Sequence, residues 1–234
     1  MMPWSITPLY SHSALSGDRP DWNELDIGLD YRVNSSLSLE AHVDRRERFD
    51  QDDTLYSIGF SHHLNNEWEW HGALTQTPGA EFSASHIYAL GTEWRPSARF
   101  SLLLDLREWR FDEFDHGTLH EIKPGAIIWF DDATWVTVQY WHDSGFGRGG
   151  FNSRGLRADH LFDNGARLTL SLSDGVEPDR DIAVPTTLVK ARLGSIVGRI
   201  PLGSRYAAIA GFERSVLPGL YGRNTFTVGV TARF

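Results

Sequence analysis

The sequence predicts a single antiparallel, up-and-down transmembrane β-barrel of about fourteen strands, with twelve as the alternative count. Three observations lead there. The closing residues Asn224 to Phe234 place Phe226, Val228, Val230, Ala232 and Phe234 on one face and Thr225, Thr227, Gly229, Thr231 and Arg233 on the other. That is period two, the mark of a strand with one apolar and one polar face. Turn-forming residues cut the rest of the chain into segments whose connections alternate between short and long. The apolar face of many segments also carries an aromatic where it meets a short connection. A strand that ends the chain has no tail to cover it, and closing the sheet removes the open edge.

The elements follow in order. The short connections are Val33-Asn34-Ser35, Asn65-Asn66, Arg95-Pro96-Ser97-Ala98, Asp131-Asp132, Asp163-Asn164-Gly165 and Pro201-Leu202-Gly203-Ser204, built from the residues that tight turns require. The longer ones fall around 14–21, 47–53, 78–84, 112–117, 145–151, 175–186 and 216–222. Between them lie segments near 4–13, 22–33, 36–46, 54–64, 67–77, 86–95, 99–111, 118–130, 133–144, 152–162, 166–174, 187–200, 204–215 and 224–234. An even count returns both chain ends to the side of the short turns, the periplasmic side in bacterial barrels. Pro8 makes the first segment the weakest, because proline donates nothing to a ladder. Elsewhere the alternation is regular: Leu25, Ile27, Leu29 and Tyr31 oppose Glu24, Asp26, Asp30 and Arg32. Residues 1–234 read as one domain without a linker.

Composition narrows the class. There is no cysteine, so no disulfide framework, cysteine nucleophile or thiolate metal site is available. No run of about 20 apolar residues offers a membrane helix. A hydrophobic fraction of 41% is compatible with strands that are half polar. The net charge of -9 speaks against nucleic acid as a partner. Every basic residue except Lys123 and Lys190 is arginine, which suits rigid ion pairs with carboxylates. Met1-Met2-Pro3-Trp4 lacks the basic and apolar regions of a signal peptide. The chain therefore reads as a mature or truncated form of a protein whose expected location is the cell outer membrane.

Tyr31, Trp68, Trp94, Phe100, Phe130, Phe162, Tyr206 and Phe234 are the aromatics at the short-turn end of an apolar face. Such residues gather at the interface of a bilayer, so they are expected to form a girdle against outer-membrane lipid.

Three pieces of sequence carry a family resemblance. They are Gly17-Asp18-Arg19-Pro20-Asp21-Trp22, Lys123-Pro124-Gly125 in a segment ending in Trp129-Phe130, and the closing Thr227-Val228-Gly229-Val230-Thr231-Ala232-Arg233-Phe234. Together they resemble the YaiO family of outer-membrane β-barrels, with similarity in spacing along the whole chain. The closing pattern also resembles the signal read by the barrel-assembly machinery, with Gly229 and Phe234 in place. It departs at Ala232, where a larger residue is usual. The resemblance implies an outer-membrane location. Some relatives carry helical repeats or accompany polysaccharide export, and this chain has no such repeats.

The polar face supplies the candidate site. Its charges are Glu40, Asp44 and Arg46 on the third segment, Glu69 on the fifth and Glu93 on the sixth. Asp105 and Arg107 follow on the seventh, Glu121 and Lys123 on the eighth, Arg157 and Asp159 on the tenth, and Lys190 and Arg192 on the twelfth. Glu24, Asp26, Arg32, His42, His71, Glu213 and Arg233 share that expected inner face. One reading is a mutually neutralising network that props open or fills a narrow lumen. The other is a selective channel, since rings of charge set permeant preference; small solutes are its expected cargo, and polysaccharide is a cargo that only the family resemblance implies.

Other motifs are weaker. Gly145-Phe146-Gly147-Arg148-Gly149-Gly150 spells G-x-G-x-x-G, but a strand rather than a helix follows it, so it reads as an external loop. Ten histidines include no zinc spacing. Asp50, Asp52 and Asp53, or Asp112, Glu113 and Asp115, lack the order of an EF-hand and read as solvated loop acids. Ser61 and His63 share a face, the minimal start of a hydrolase site, without a nucleophile elbow. No catalytic residue, cofactor or metal is expected.

Overall fold

The computed structural model describes residues 3–17, 19–48, 50–112, 117–146, 148–179 and 187–234. Met1, Met2, Asp18, Glu113, Asp115 and Gly147, named above, lie outside the described residues.

Fourteen strands form one closed barrel among the described residues. They are β1 (Trp4–Leu15), β2 (Trp22–Arg32), β3 (Leu37–Arg48), β4 (Gln51–His63), β5 (Trp68–Gln76), β6 (His86–Ser97) and β7 (Phe100–Phe111). Then come β8 (Gly117–Trp129), β9 (Thr134–Gly145), β10 (Arg148–Leu161), β11 (Arg167–Asp179), β12 (Thr187–Pro201), β13 (Tyr206–Leu217) and β14 (Tyr221–Arg233). Each strand pairs antiparallel with its sequence neighbours, and β1 pairs with β14. The seam runs from Ser5 opposite Arg233 to Leu15 opposite Arg223. At its foot the Phe234 N–H donates to the Trp4 carbonyl at 2.9 Å.

The short turns share one device. In five of them the first residue donates its N–H to the carbonyl four residues on: Val33 to Leu37, Leu64 to Trp68, Phe130 to Thr134, Phe162 to Ala166 and Leu202 to Tyr206. In four of these, a side-chain oxygen from Asn34, Asn65, Asp131 or Asn164 accepts backbone N–H groups inside the turn. This is why Asn and Asp mark these positions in the sequence. The N–H groups of Ala133 and Thr134 hold the Asp131 carboxyl below the usual carboxylate range. The turn therefore keeps its charged acceptor until the pH falls below that range.

The opposite end differs from the sequence expectation. Several connections read as long loops are tight hairpins, because the ladders continue through polar residues. Arg48 pairs with Gln51 across Asp50, which takes a left-handed φ of 61°. Gly145 pairs with Arg148, with Phe146 at φ 54° and a bulge before Phe151. The G-x-G-x-x-G stretch is thus mostly strand. Leu217 pairs with Tyr221. The 14 residues of β10 and the 15 of β12 exceed the roughly 9–11 that a bilayer crossing needs.

Ladder parity fixes the two faces. The outer face is an apolar belt on which Leu102, Leu104, Leu106, Leu170, Leu172, Val228 and Val230 are all exposed. An all-round exposed surface of this kind matches hydrocarbon, not water. All eight expected girdle aromatics lie on this face at the short-turn end. Trp4 joins them, stacked on Tyr31 with ring centroids 4.1 Å apart, and Trp68 stacks on Trp94. A second ring of Tyr10, Tyr56, Tyr88 and Tyr140 stands on the outer face at the other edge of the belt.

Gly229 has a local reason to be glycine. A β-carbon there would meet the Leu9 side chain and lie 2.6 Å from the Pro8 carbonyl oxygen, across the seam. Gly229→Ala should cost about 1–3 kcal/mol by forcing β1 away from β14. Gly198→Ala, whose nearest neighbour is the Ala210 carbonyl oxygen at 3.9 Å, should be close to neutral. Urea unfolding from lipid vesicles, followed by tryptophan fluorescence, measures both. Equal midpoints for the two variants would show that the seam yields freely.

Candidate functional site

The inner face carries the charge, and most of it is paired. Some pairs join residues two apart on one strand: Arg46 with Asp44 at 2.6 Å, Arg95 with Glu93 at 3.0 Å and Arg157 with Asp159 at 2.8 Å. Others cross strands, as in Arg48 with Glu24 and Arg223 with Glu213. Asp159, whose side chain is fully buried, also accepts from Arg167 at 2.8 Å and Thr169 at 2.6 Å. A buried carboxylate requires such partners.

Both histidines expected on the inner face, His42 and His71, find acids. His42 Nδ1 lies 3.2 Å from Asp26. His71 Nε2 lies 2.8 Å from Asp105, although β6 stands between their strands. Gly91 on β6 makes this possible, since a β-carbon there would collide with both side chains. No group of three or more metal-ligating side chains gathers among the described residues. Glu121 and Asp143 face each other across β8 and β9, both nearly buried, with Lys123 two residues along.

Indoles and cations share this inner wall. Arg107 lies over Trp109, Lys123 over Trp141, Arg95 over Trp129 and Arg167 over Trp135, each between 5.0 and 5.5 Å from the ring centroid. The sequence reading overlooked these inward tryptophans. Their parity with inner-face charges, as for Trp109 with Asp105 and Arg107, was the available signal.

Two of the expected lumen charges face outward. Arg192 stands opposite Asp174 and Val216, and Lys190 opposite Val176, on the same face as Leu172 and Ile196. The segment misleads because β12 is mixed on both faces: Val189, Leu193 and Val197 point in while Gly194, Ile196 and Gly198 point out. Its neighbours set the register, and charge alone was a poor guide. The same register turns Arg199 inward, opposite Arg167. The remaining expected charges lie on the inner face.

The long-loop mouth is capped from inside. Trp22, Ala191, Leu217 and Tyr221 form one apolar cluster; Ala84, Phe111 and Leu119 form another, with Trp109 and Phe146 against it. The connection from Thr77 to Ser85 folds inward here, with Ala84 in the second cluster and Phe82 beneath Arg48. Asp53, only 2% exposed, fastens it by accepting the N–H groups of Glu81, Phe82 and Ser83 at 2.6–3.1 Å. Arg48 bridges the two sides, 4.5 Å from the Trp22 ring and 5.4 Å from the Phe82 ring. Asp53 is therefore a buried anchor and not a solvated loop acid. Trp22 of the Arg-Pro-Asp-Trp motif sits at the centre of the cap, and Arg19 lies over Tyr221.

Ser61 and His63 both address one carboxylate. The Ser61 hydroxyl donates to Glu69 Oε1 at 2.7 Å, and His63 Nδ1 lies 3.0 Å from Glu69 Oε2. A serine hydrolase places the imidazole between hydroxyl and acid. Here the acid is in the middle.

No protein-family model matches the chain, and no curated protein matches it. Solved structures do match its shape. The chain is similar over 99% of its length to a bacterial polysaccharide outer membrane secretin, covering 98% of that chain at TM-score 0.61 and 13% identity. It is similar throughout to the CymD monoaromatic hydrocarbon channel, covering 89% of that chain at TM-score 0.67 and 8% identity. The outer membrane protein Omp33 of Acinetobacter baumannii matches at TM-score 0.60 and 10% identity, covering 100% of this chain and 98% of that one. The fold is that of the outer-membrane β-barrels. Identities this low make it a likeness of fold.

Asp53→Ala strips the acceptor from three backbone donors in a buried site and should cost about 3 kcal/mol. Residues 77–85 should then become cleavable by protease added to the long-loop side of reconstituted vesicles. Protection equal to the wild type would mean that something other than Asp53 holds the cap.

Proposed function

We propose that the protein is a non-enzymatic, narrow passage for small hydrophilic solutes across the cell outer membrane, favouring anions at its short-turn mouth. The observation that carries this reading is the inner rim of that mouth. Arg167 and Arg199 stand directly opposite each other on β11 and β12, an arrangement that costs stability between like charges. Arg167 is tied to Asp159, whereas Arg199 and Arg233 make no ion pair among the described residues. Unneutralised arginines at the rim of a lumen attract and select anions.

The YaiO resemblance and the secretin among the fold neighbours also bring polysaccharide into view as cargo. The inward tryptophans would suit sugar rings, while the narrow, capped lumen favours small solutes. On this reading the short turns face the periplasm, and the barrel-assembly machinery reads Gly229 and Phe234 during insertion. A purely structural barrel is the second reading, favoured by the cap across the long-loop mouth.

Planar-bilayer recording tests the proposal. Under a potassium chloride gradient the wild-type reversal potential should indicate anion preference. Arg199→Ser with Arg233→Ser should move it toward cations, and Asp53→Ala should raise conductance by loosening the cap. Absence of conductance from both the wild type and Asp53→Ala would overturn the passage and leave the structural reading.

A further inference from the structure

The outer face across β10 to β13 departs from the apolar belt. At its long-loop edge, Arg154, Asp174 and Arg192 lie side by side on successive strands. Asp174 reaches Arg154 at 3.4 Å and Arg192 only at 4.0 Å, and the two arginine side chains are 80% and 67% exposed. Arg214 stands on the next strand opposite Gly194, and Lys190 one row further out opposite Val176. Neither Arg214 nor Lys190 makes an ion pair among the described residues. One carboxylate among four cations leaves a surplus of positive charge.

Directly beneath this row lies an apolar groove of about 460 Å³, walled by Val138, Leu156 and Leu172 and edged by Arg154, Asp174 and Arg192 themselves. Tyr140, from the upper aromatic ring, stands opposite Arg154. Ring tyrosines mark headgroup depth, so the cations lie at the level of lipid phosphates and the groove at the level of acyl chains. A second, larger groove at Gly72, walled by Ile58, Phe60, Leu74 and Leu90, has no outer-face charge in its lining. The combination of groove and cations thus belongs to the β10–β13 face.

We infer that this face binds a phosphorylated, multiply acylated lipid of the outer leaflet. The arginine forks take its phosphates in bidentate fashion, and the groove between Leu156 and Leu172 takes one of its chains. Membrane insertion with the long-loop end outward, as in the proposed function, is assumed; a conducting lumen is not.

Native mass spectrometry of the full chain in a neutral maltoside detergent, titrated with hexa-acylated diphosphoryl lipid A, tests the site. The wild type should bind it, with no competition from inorganic pyrophosphate and with much weaker binding of the dephosphorylated lipid. Arg154→Ser, Arg192→Ser and Arg214→Ser combined should weaken binding roughly tenfold or more. Leu156→Trp, on the groove wall, should weaken it by filling the groove while leaving every charge in place. Undiminished binding by either variant, or equal binding of the dephosphorylated lipid, overturns the inference. Pyrophosphate binding as tightly as the lipid would do the same, by making this a free-phosphate site. Heat-modifiable electrophoretic mobility confirms that each variant is folded. None of these residues lines the lumen, so unchanged conductance in the same variants separates this site from the passage.

Discussion

Everything in this molecule depends on backbone closure. Within hydrocarbon an unpaired N–H or C=O costs several kcal/mol. The pairing of β1 with β14 is what removes the last open edge. That requirement explains features with no chemistry of their own. Gly229 is bare because Pro8 and Leu9 press against it, and Pro8 is tolerated because a gap in the ladder falls opposite it. Phe234 is held by Trp4 through two backbone hydrogen bonds, so the seam is paired down to the short-turn end.

Closure sorts side chains into two environments, and each organises itself differently. Outside, the belt runs between an aromatic ring at the short turns and a tyrosine ring at the long loops. Inside, carboxylates and arginines neutralise one another, often along a single strand, and indoles lie under the cations. The long-loop end adds a third environment, a small apolar core built inside the barrel mouth around Trp22, Phe111 and Leu119. Asp53 and Arg48 bind the connection at 77–85 to that core.

Much of this was legible in the sequence because period two is a local signal. Strands such as β2, β7 and β14 declare both faces within a few residues, and the Asn and Asp residues of the short turns declare their ends. Signals that depend on neighbours were not legible. In β12 both faces are mixed, so its own pattern does not say which way Lys190 and Arg192 point; the ladders with β11 and β13 turn them outward. Asp53 looked like one of several loop acids, because its three donors lie nearly thirty residues away. The tight hairpins at Asp50 and Phe146 were hidden by polar sequence, which is compatible with loop or with strand outside the apolar belt.

The contact between His71 and Asp105 has a mechanical consequence. Hydrogen bonds between adjacent strands resist sliding but resist bending about a strand axis poorly. A side-chain link from β5 to β7 passes over the bare backbone of Gly91 and acts as a brace across the inside of the curve. It fixes the angle between three consecutive strands. This sector of the wall is therefore a stiff panel, and any flattening of the cross-section must be taken up elsewhere around the circumference.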